Sequence, residues 1–188
     1  MSAAHGLLVV IAGPSGVGKG TVHARLRAEL PDAWLSVSAT TRPPRPGERD
    51  GVEYHFVDDA GFDRLVAGEE LLEWAPYAGN RYGTPGAPVA EAVAAGRVVL
   101  LDIEVQGALQ IQAHDPKALL VFLLPPSFTE LERRLRTRGT EDDALVAARL
   151  ERAREEIALA DRFDTRVVND DLDDCVAEVL GAIAEARR

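Results

Sequence analysis

Residues 9–26, VVIAGPSGVGKGTVHARL, decide the fold of this chain. The stretch begins as an apolar run, passes through a glycine-rich loop that ends at Lys19, and continues with the spacing of an amphipathic helix. Gly13, four further residues, Gly18 and Lys19 match the pattern G-x-x-x-x-G-K of phosphate-binding loops. In such a loop the backbone N–H groups and the N-terminus of the following helix surround a phosphate, and the lysine adds a mobile positive charge. The stretch therefore predicts a nucleotide phosphate site between a strand and a helix.

The residue after the lysine departs from the commonest form of this loop. Gly20 takes the place of the usual Ser or Thr, whose hydroxyl ligates Mg²⁺, and Thr21 follows it. This GKGT variant resembles that of adenylate kinases, and it indicates a Mg²⁺ ion held mainly by nucleotide phosphates and water. We expect Asp102, which follows an apolar run, to act on that metal through water. The alternative is a carboxylate that only ends the strand.

Apolar runs alternate with helical patterns along the rest of the chain. Residues 7–13, 98–103 and 119–126 are nearly continuous hydrophobic runs, typical of strands buried on both faces of a parallel sheet, with weaker candidates at 34–41 and 165–170. Helical periodicity covers residues 21–30, 89–96, 128–139, 141–163 and 171–186. Thr140 is a plausible N-cap for the fourth of these helices. The alternation predicts an α/β domain with a parallel sheet flanked by helices.

One segment interrupts the alternation. Residues from about 38 to 96 are rich in Pro, Gly, Arg, Tyr and Trp and contain shorter strand-like pieces such as EYHFV. We expect an insertion with its own small sheet over one end of the core.

Composition limits the possible functions. The chain has 188 residues, 46% hydrophobic and 28% charged, and its net charge of −10 disfavours nucleic acid and anionic membranes as partners. Its only cysteine, Cys175, lies in an apolar-periodic helix and is expected to be structural, and the four histidines lack metal-ligand spacing. The N-terminus lacks the basic region of a signal peptide, and no stretch has the length of a membrane span, so we expect a cytoplasmic protein.

Positive charge for an anion gathers in the insertion. Arg42 and Arg45 lie in a proline-stiffened loop, with Tyr54 and Tyr82 further along. Two guanidinium groups and two phenol hydroxyls can bind one phosphate dianion. Arg49, by contrast, is expected to be merely solvated.

With these segments, the chain resembles the guanylate kinase family over nearly its whole length. The matching segments, in the family's order and spacing, are GPSGVGKGT, SVSATTRPPRPGE, EYHFV, LLEWAPYAGNRYGTP, LLDIEVQGA, RLRTRGTE and VNDDL. The resemblance implies a P-loop kinase core, a monophosphate-binding insertion and a mobile helical lid. It also implies the Mg²⁺-dependent transfer of phosphate from ATP to GMP, and to dGMP, forming ADP and the nucleoside diphosphate, with a role in recycling GMP for guanine nucleotide supply.

The family's guanine site carries over to four positions. By similarity, Glu73 and Glu104 are the carboxylates that accept the N1–H and N2–H₂ donors of guanine, and Ser38 and Thr84 supply hydroxyls toward O6 or the base edge. Many relatives carry Asp where this chain has Glu104. Arg42, Arg45, Tyr54 and Tyr82 match the contacts to the GMP phosphate.

The resemblance also implies the ATP site and the residues of phosphoryl transfer. Arg134, Arg138 and Arg149 match lid positions that contact ATP phosphates, and Asn169 matches a position near the adenine. The residues implied in ATP binding are Gly13, Pro14, Ser15, Gly16, Val17, Gly18, Lys19, Gly20, Thr21 and Asn169. Those implied in catalysis are Lys19, Arg42, Arg134, Arg138 and Arg149. Arg133 and Arg136 are expected to form only an exposed face.

The predicted division is a single domain. Its core comprises about 1–37, 98–133 and 151–188, its GMP-binding insertion about 38–97, and its lid about 134–150. We expect ATP and GMP as partners, no nucleic acid or membrane, and a monomer or weak homo-oligomer.

Three alternative functions compete with this hypothesis. Another nucleoside monophosphate kinase, preferring AMP or dGMP, is the nearest, and the Glu73–Glu104 pair argues for guanine. A non-catalytic phosphopeptide-binding module is disfavoured by the intact loop and Lys19, and because the 188 residues leave no room for partner domains. A GTPase switch is disfavoured because no NKxD-type signature is present.

Overall fold

The structure, a computed structural model, describes residues 5–137 and 143–188. Its strands are β1 (Leu7–Ala12), β2 (Ala33–Leu35), β3 (Ala39–Thr40), β4 (His55–Phe56), β5 (Leu71–Tyr77), β6 (Asn80–Pro85), β7 (Val98–Asp102), β8 (Leu119–Leu124) and β9 (Thr165–Val168). Its helices are α1 (Lys19–Glu29), α2 (Asp59–Ala67), α3 (Gly86–Ala94), α4 (Val105–His114), α5 (Phe128–Thr137), α6 (Asp143–Ile157) and α7 (Leu172–Ala186). A 3-10 turn, Ala160–Arg162, precedes β9.

A parallel sheet forms the centre of the described part of the chain, in the order β2-β7-β1-β8-β9. Every residue of the middle strand β1 is buried, because helices cover both faces of the sheet. The carboxyl ends of β7, β1 and β8 meet at one edge, where the loop between β1 and α1 begins. The predicted α/β architecture is confirmed.

The helices divide between the two faces of this sheet. On one face α1 and α7 bury Leu26 and Val179, and on the other α3 and α4 bury Val89 and Ile111. Helix α3 lies within the bounds predicted for the insertion, about 38–97, but it packs against the core sheet.

The insertion forms a second sheet, as predicted, in the order β4-β3-β6-β5. Its β5–β6 hairpin packs against α4 through paired hydrogen bonds. The Trp74 amide donates to Gln110 Oε1 over 3.2 Å, and Gln110 Nε2 donates to the Trp74 carbonyl over 2.9 Å. These bonds fix the insertion to the helix that follows β7.

Helices α5 and α6 pack against each other around a small core of their own, in which Leu131, Leu135, Val146 and Leu150 are buried. Leu135 also lies against the loop after β1, since a Cβ built on Gly16 would lie 2.8 Å from Leu135 Cδ2. The pair therefore borders the predicted phosphate site.

Residues 34–41 do not form one core strand, and that prediction was wrong. The chain pairs with β7 through β2, the Ser36 amide still donates to the Leu100 carbonyl, and the chain then crosses to the second sheet as β3. The β-branched and apolar residues around Ser36 and Ser38 suit either sheet, so the sequence pattern does not reveal the crossing.

The helix predicted at 141–163 is shorter in the structure. Helix α6 ends at Ile157, and the 3-10 turn brings the Phe163 ring within 5.0 Å of Phe122 on β8. The helical spacing of the sequence continues to residue 163, but the contact of Phe163 with the sheet ends the helix earlier. Thr140, the predicted N-cap, lies outside the described residues. Helices α2 and α4 were not predicted.

Within residues 5–137 and 143–188, no helix is both long and apolar enough to cross a membrane.

Candidate active site

The loop between β1 and α1 has the geometry that its glycines predict. Gly13 and Gly18 adopt φ values of 150° and 104°, which residues with a Cβ rarely adopt. A Cβ on Gly13 would lie 2.5 Å from the Leu123 carbonyl oxygen, and one on Gly18 would lie 2.5 Å from Asn169 Nδ2. The loop can therefore run this close to β8 and Asn169 only with glycine at both positions.

Lys19 is the first residue of α1, and its Nζ donates to the Gly13 carbonyl over 2.6 Å. The ammonium group therefore lies across the mouth of the loop. Among the described residues no side chain caps the N-terminus of α1, and its first turn holds no acidic residue. The N-terminal amides and the lysine together form an anion site.

Asn169 and Arg134 brace the loop from the opposite side. Asn169 Nδ2 donates to the Val17 carbonyl over 2.7 Å. Arg134 Nη1 donates to the carbonyls of Asn169 (3.1 Å) and Val17 (3.3 Å), and Arg134 Nε pairs with Glu130 at 2.8 Å. In this structure both predicted ATP residues position the loop backbone.

The predicted acceptor-phosphate residues line the same cavity as Lys19. Glu48 holds both arginines of that loop, since Arg42 Nη2 donates to both Glu48 oxygens over 2.9 Å and the Arg45 amide donates to Glu48 Oε2 over 2.7 Å. The Arg42 guanidinium carbon lies 5.3 Å from the centre of the Tyr54 ring, which is 5.9 Å from the Tyr82 ring centre. Two guanidinium groups and two phenols thus form one wall.

Glu73 forms the buried end of the cleft. Only 4% of the residue is exposed, and its Oε1 accepts the hydroxyl proton of Thr84 over 2.6 Å. A Cβ on Gly107 would lie 2.3 Å from Glu73 Oε2, so the glycine leaves space for the carboxylate. Burial, with a smaller contribution from the Glu104 charge, raises the pKa of Glu73 to about 7, against the opposing effect of the Thr84 hydrogen bond. The buried Thr84 hydroxyl therefore orients Glu73.

Glu104 and Asp102 come from the segment that ends β7. Glu104 is the N-cap of α4, where its Oε1 accepts from the Gly107 amide over 3.2 Å. Its Oε2 accepts from Arg152 of α6 over 2.9 Å. Asp102 is the last residue of β7, and its side chain is 41% exposed.

Most predicted site residues therefore meet in one cleft of about 350 Å³, which lies within the range of small-molecule sites, about 300–1,000 Å³. Those that line it are Gly13, Ser15, Lys19, Ser38, Arg42, Arg45, Tyr54, Glu73, Tyr82, Asp102, Glu104 and Arg149. A neighbouring hollow is lined by Gly16, Gly18, Thr21, Arg134 and Asn169. Arg149 and Arg134 thus face different hollows on either side of the loop.

Five predicted positions differ from this pattern or lie outside it. Thr84, predicted to reach the base edge, is fully buried and bonded to Glu73, and it lines neither hollow. Pro14 and Val17 are buried, so only their backbone can meet a nucleotide. Gly20 is exposed, and a Cβ there would contact nothing within 4 Å. Arg138 lies outside the described residues.

Three polar side chains that line this cleft were not predicted: Glu48, Tyr77 and Glu156. Arg152, which does not line the cleft but donates to Glu104 at its edge, was not predicted either. Glu48 follows Arg45 by three residues in the quoted motif, a spacing that could have suggested a turn with an ion pair. Tyr77 and the two residues of α6 act across long sequence separations, and no local pattern marks them.

Neither His23 nor Cys175 joins the reaction centre. His23 Nε2 lies 3.9 Å from Asp102 Oδ1, and neither imidazole nitrogen has a hydrogen-bond partner in the part of the chain that the structure describes. Burial lowers the pKa of His23, which favours the neutral ring. Burial also raises the pKa of the Cys175 thiol to about 11, in keeping with the structural role expected for it.

Comparison with known proteins agrees with this geometry. A family model described as guanylate kinase matches residues 5–186. The chain belongs to the guanylate kinase family. It is 59% identical over 177 residues to a guanylate kinase of Thermobifida fusca, an alignment that covers 94% of this chain and 90% of that protein. It is 55% identical over 175 residues to one of Synechococcus sp., with 93% and 94% covered.

A solved structure supports the same family at the level of the fold. The crystal structure of guanylate kinase from Anaplasma phagocytophilum superposes with a TM-score of 0.80 at 30% identity, covering 98% of this chain and 87% of that one. The resemblance to the guanylate kinase family inferred from the sequence motifs is thereby confirmed.

Proposed function

We propose that this chain is a guanylate kinase that transfers the γ-phosphoryl group of ATP to GMP, and to dGMP, forming ADP and the nucleoside diphosphate. The observation that carries this proposal is the cleft itself. One cavity is lined by the phosphate loop with Lys19, by the Arg42–Arg45 wall, and by the carboxylates Glu73 and Glu104. A donor phosphate site, an acceptor phosphate site and a base site therefore share one enclosure.

At the donor end, the loop amides and the N-terminus of α1 suit the phosphates of ATP. Lys19, Arg134, Arg138 and Arg149 are proposed to stabilise negative charge on the transferred group. The structure supports Lys19 and Arg149 through their positions in the cleft, and Arg134 through its contact with the loop backbone. Asn169 and loop residues 13–21 complete the proposed ATP site.

At the acceptor end, Arg42 and Arg45 with Tyr54 and Tyr82 are proposed to hold the GMP phosphate. Glu48 supports that role because it holds the Arg42 side chain and the Arg45 backbone in one arrangement before any ligand binds. Such preorganisation places the acceptor oxygen at a small cost in conformational entropy.

Base selection is proposed to rest on Glu73 and Glu104, with Ser38 beside them and Thr84 orienting Glu73. Guanine presents N1–H and N2–H₂ donors to these carboxylates. Adenine presents an N1 acceptor and no N2 amino group, so the carboxylates would face no donor. Unpaired buried polar groups of this kind can discriminate by about 10⁴.

The side chains of the cleft that could bind a metal fit a Mg²⁺ ion that is bound chiefly by the nucleotide. In the described residues no cluster of three or more acidic, His or Cys side chains could hold a metal alone, and Asp102 lies at the loop with a half-exposed carboxylate. Mg²⁺ commonly binds through one or two carboxylates, water and substrate phosphates. When bound, it would neutralise charge on the β- and γ-phosphates, and Asp102 would order its water shell.

Phosphoryl transfer of this kind needs alignment and charge neutralisation more than covalent chemistry, because its transition state is loose in most analyses. Lys19 and the arginines supply charge, and the two walls of the cleft bring donor and acceptor together. No side-chain base is assigned. A cytoplasmic location and a monomeric or weakly oligomeric state remain part of the proposal, to be checked by fractionation and light scattering.

The test is a panel of acceptors with purified protein, ATP and Mg²⁺, in which nucleoside diphosphates are separated by anion-exchange chromatography. We expect GDP from GMP and dGDP from dGMP, with kcat/KM for AMP lower by about 10⁴. Absence of GDP would refute the proposal. Equal use of AMP would instead indicate a nucleoside monophosphate kinase with a different base site.

A further inference from the structure

Arg152 of α6 joins three separate parts of the molecule at the guanine end of the cleft. Its Nη2 lies 2.9 Å from Glu104 Oε2, in the segment between β7 and α4. Its guanidinium carbon lies 4.4 Å from the ring centre of Tyr77, at the end of β5 in the insertion. Its Nε pairs with Glu156, one turn further along α6, at 3.2 Å.

These contacts use properties that only arginine combines. The planar guanidinium can donate to two carboxylates through its edge while its face covers an aromatic ring. The pairs are also partly shielded from water, since the side chains of Glu104 and Glu156 are 17% and 13% exposed. Charge-assisted hydrogen bonds under such shielding are stronger than pairs at an open surface.

Glu104 needs a charged partner such as Arg152 if its carboxylate is to keep one orientation. A glutamate has one more rotatable bond than an aspartate, so its carboxylate loses more conformational freedom when it is held in one orientation. Here Oε1 is held by the Gly107 amide and Oε2 by Arg152, so both oxygens have fixed directions. Glu73 lines the same cleft, and the positive charge of Arg152 offsets the repulsion between the two carboxylates.

We propose that Arg152 is a positioning residue for guanine recognition: from α6, it fixes the Glu104 carboxylate in the orientation that accepts the guanine donors. This inference rests on the proposed function. It also links α6 to the base site, because Arg152 contacts Glu104 and Tyr77 together.

The test measures KM and kcat for GMP and ATP in Arg152→Ala and Arg152→Lys. We expect Arg152→Ala to raise KM for GMP about tenfold while kcat and KM for ATP change less than about twofold. Arg152→Lys should restore part of the loss, since lysine can pair with Glu104 but cannot also cover the Tyr77 ring.

The matched control is Arg154→Ala. Arg154 lies on the same helix, pairs with Glu151 at 3.1 Å and covers the Phe128 ring at 4.4 Å, whereas the Glu104 carboxylate pairs with Arg152. The Arg154→Ala variant therefore loses an ion pair and a ring contact of the same kinds as Arg152→Ala, but it leaves the Glu104 pair in place. A GMP KM that changes equally in both alanine variants, or that falls in Arg152→Ala, would overturn the proposal.

A double-mutant cycle tests the pairing itself. In a Glu104→Asp background the shorter side chain no longer reaches Arg152, so Arg152→Ala should add less than about twofold to KM for GMP. A full tenfold effect in that background would contradict a role through Glu104. If Arg152→Ala does not fold, Arg152→Gln is measured in the same cycle. If the wild-type protein makes no GDP, the proposed function is refuted, and this inference with it. If the wild-type protein turns over normally but Arg152→Ala leaves KM for GMP unchanged, only the inference is refuted.

Discussion

Gly107 is the position where adding one methyl group should damage guanine binding most directly. A Cβ there would lie 2.3 Å from Glu73 Oε2 and 3.0 Å from Glu73 Cδ. To reach an ordinary contact of 3.4 Å, the carboxylate oxygen has to withdraw by about 1.1 Å. Glu73 has little room to do so, because it is buried and held by Thr84.

A displacement of about 1 Å at a binding group can cost about 10² in catalytic efficiency. We therefore expect Gly107→Ala to lower kcat/KM for GMP about 10²-fold and to leave KM for ATP within about twofold of wild type. Overpacking should also lower stability, by about 1–3 kcal/mol. Steady-state kinetics with GMP varied at saturating ATP, together with thermal unfolding, measures both effects.

Gly181→Ala is the matched control, since a Cβ at this α7 position would contact nothing within 4 Å. The exchange of glycine for alanine in a helix interior should leave the kinetics unchanged and stabilise the protein by up to about 1 kcal/mol. A folded Gly107→Ala protein that uses GMP as well as wild type would refute the steric argument. An equal fall in kcat/KM for GMP and for ATP would show that the substitution does not act through Glu73.

Three further predictions concern the charged groups of the cleft. Lys19→Ala should lower turnover by about 10² or more, as expected for a preorganised charge stabiliser, and near-normal turnover would remove Lys19 from that role. Between pH 8 and pH 6, KM for GMP should rise about tenfold, because the pKa of Glu73 is raised to about 7 and the fraction of its accepting, ionised form falls with pH. The part of this rise that comes from Glu73 should be absent in Glu73→Gln, in which the phosphate of GMP still titrates. If KM for GMP depends on pH in the same way in Glu73→Gln and wild type, Glu73 is not the group responsible. Glu48→Gln should raise KM for GMP about tenfold, since Arg42 loses its charged partner. The control Glu53→Gln should have no effect, because Glu53 pairs with exposed Arg49 at 4.0 Å. Equal KM values in the two variants would show that Glu48 does not organise the site.

The phosphate loop was predictable because its chemistry is local. The glycines, Lys19 and the flanking apolar and helical patterns lie within residues 9–26, and each is required by the backbone geometry that the structure contains. The buried strands β1, β7 and β8 were predictable for a similar reason, since the part of a strand that is covered on both faces must be apolar.

What could not be predicted depends on partners far apart in the chain. The crossing from β2 to β3 is decided by competing neighbours, the Leu100 carbonyl in one sheet and β4 with β6 in the other. The pairing of Arg152 with Glu104 spans 48 residues, and no spacing rule connects them. The sequence predicts that Arg134 contacts ATP, and its hydrogen bonds to the loop carbonyls become visible only once α5 is packed against the loop.

The carbonyl of Val17 accepts hydrogen bonds from two side chains that belong to later segments of the chain. The curve of the loop is therefore complete once β9 and α5 have packed against it, so the proposed ATP phosphate site is formed before any nucleotide binds. Loss of the Asn169 side chain would then weaken phosphate binding at the loop even with the loop amides and Lys19 unchanged.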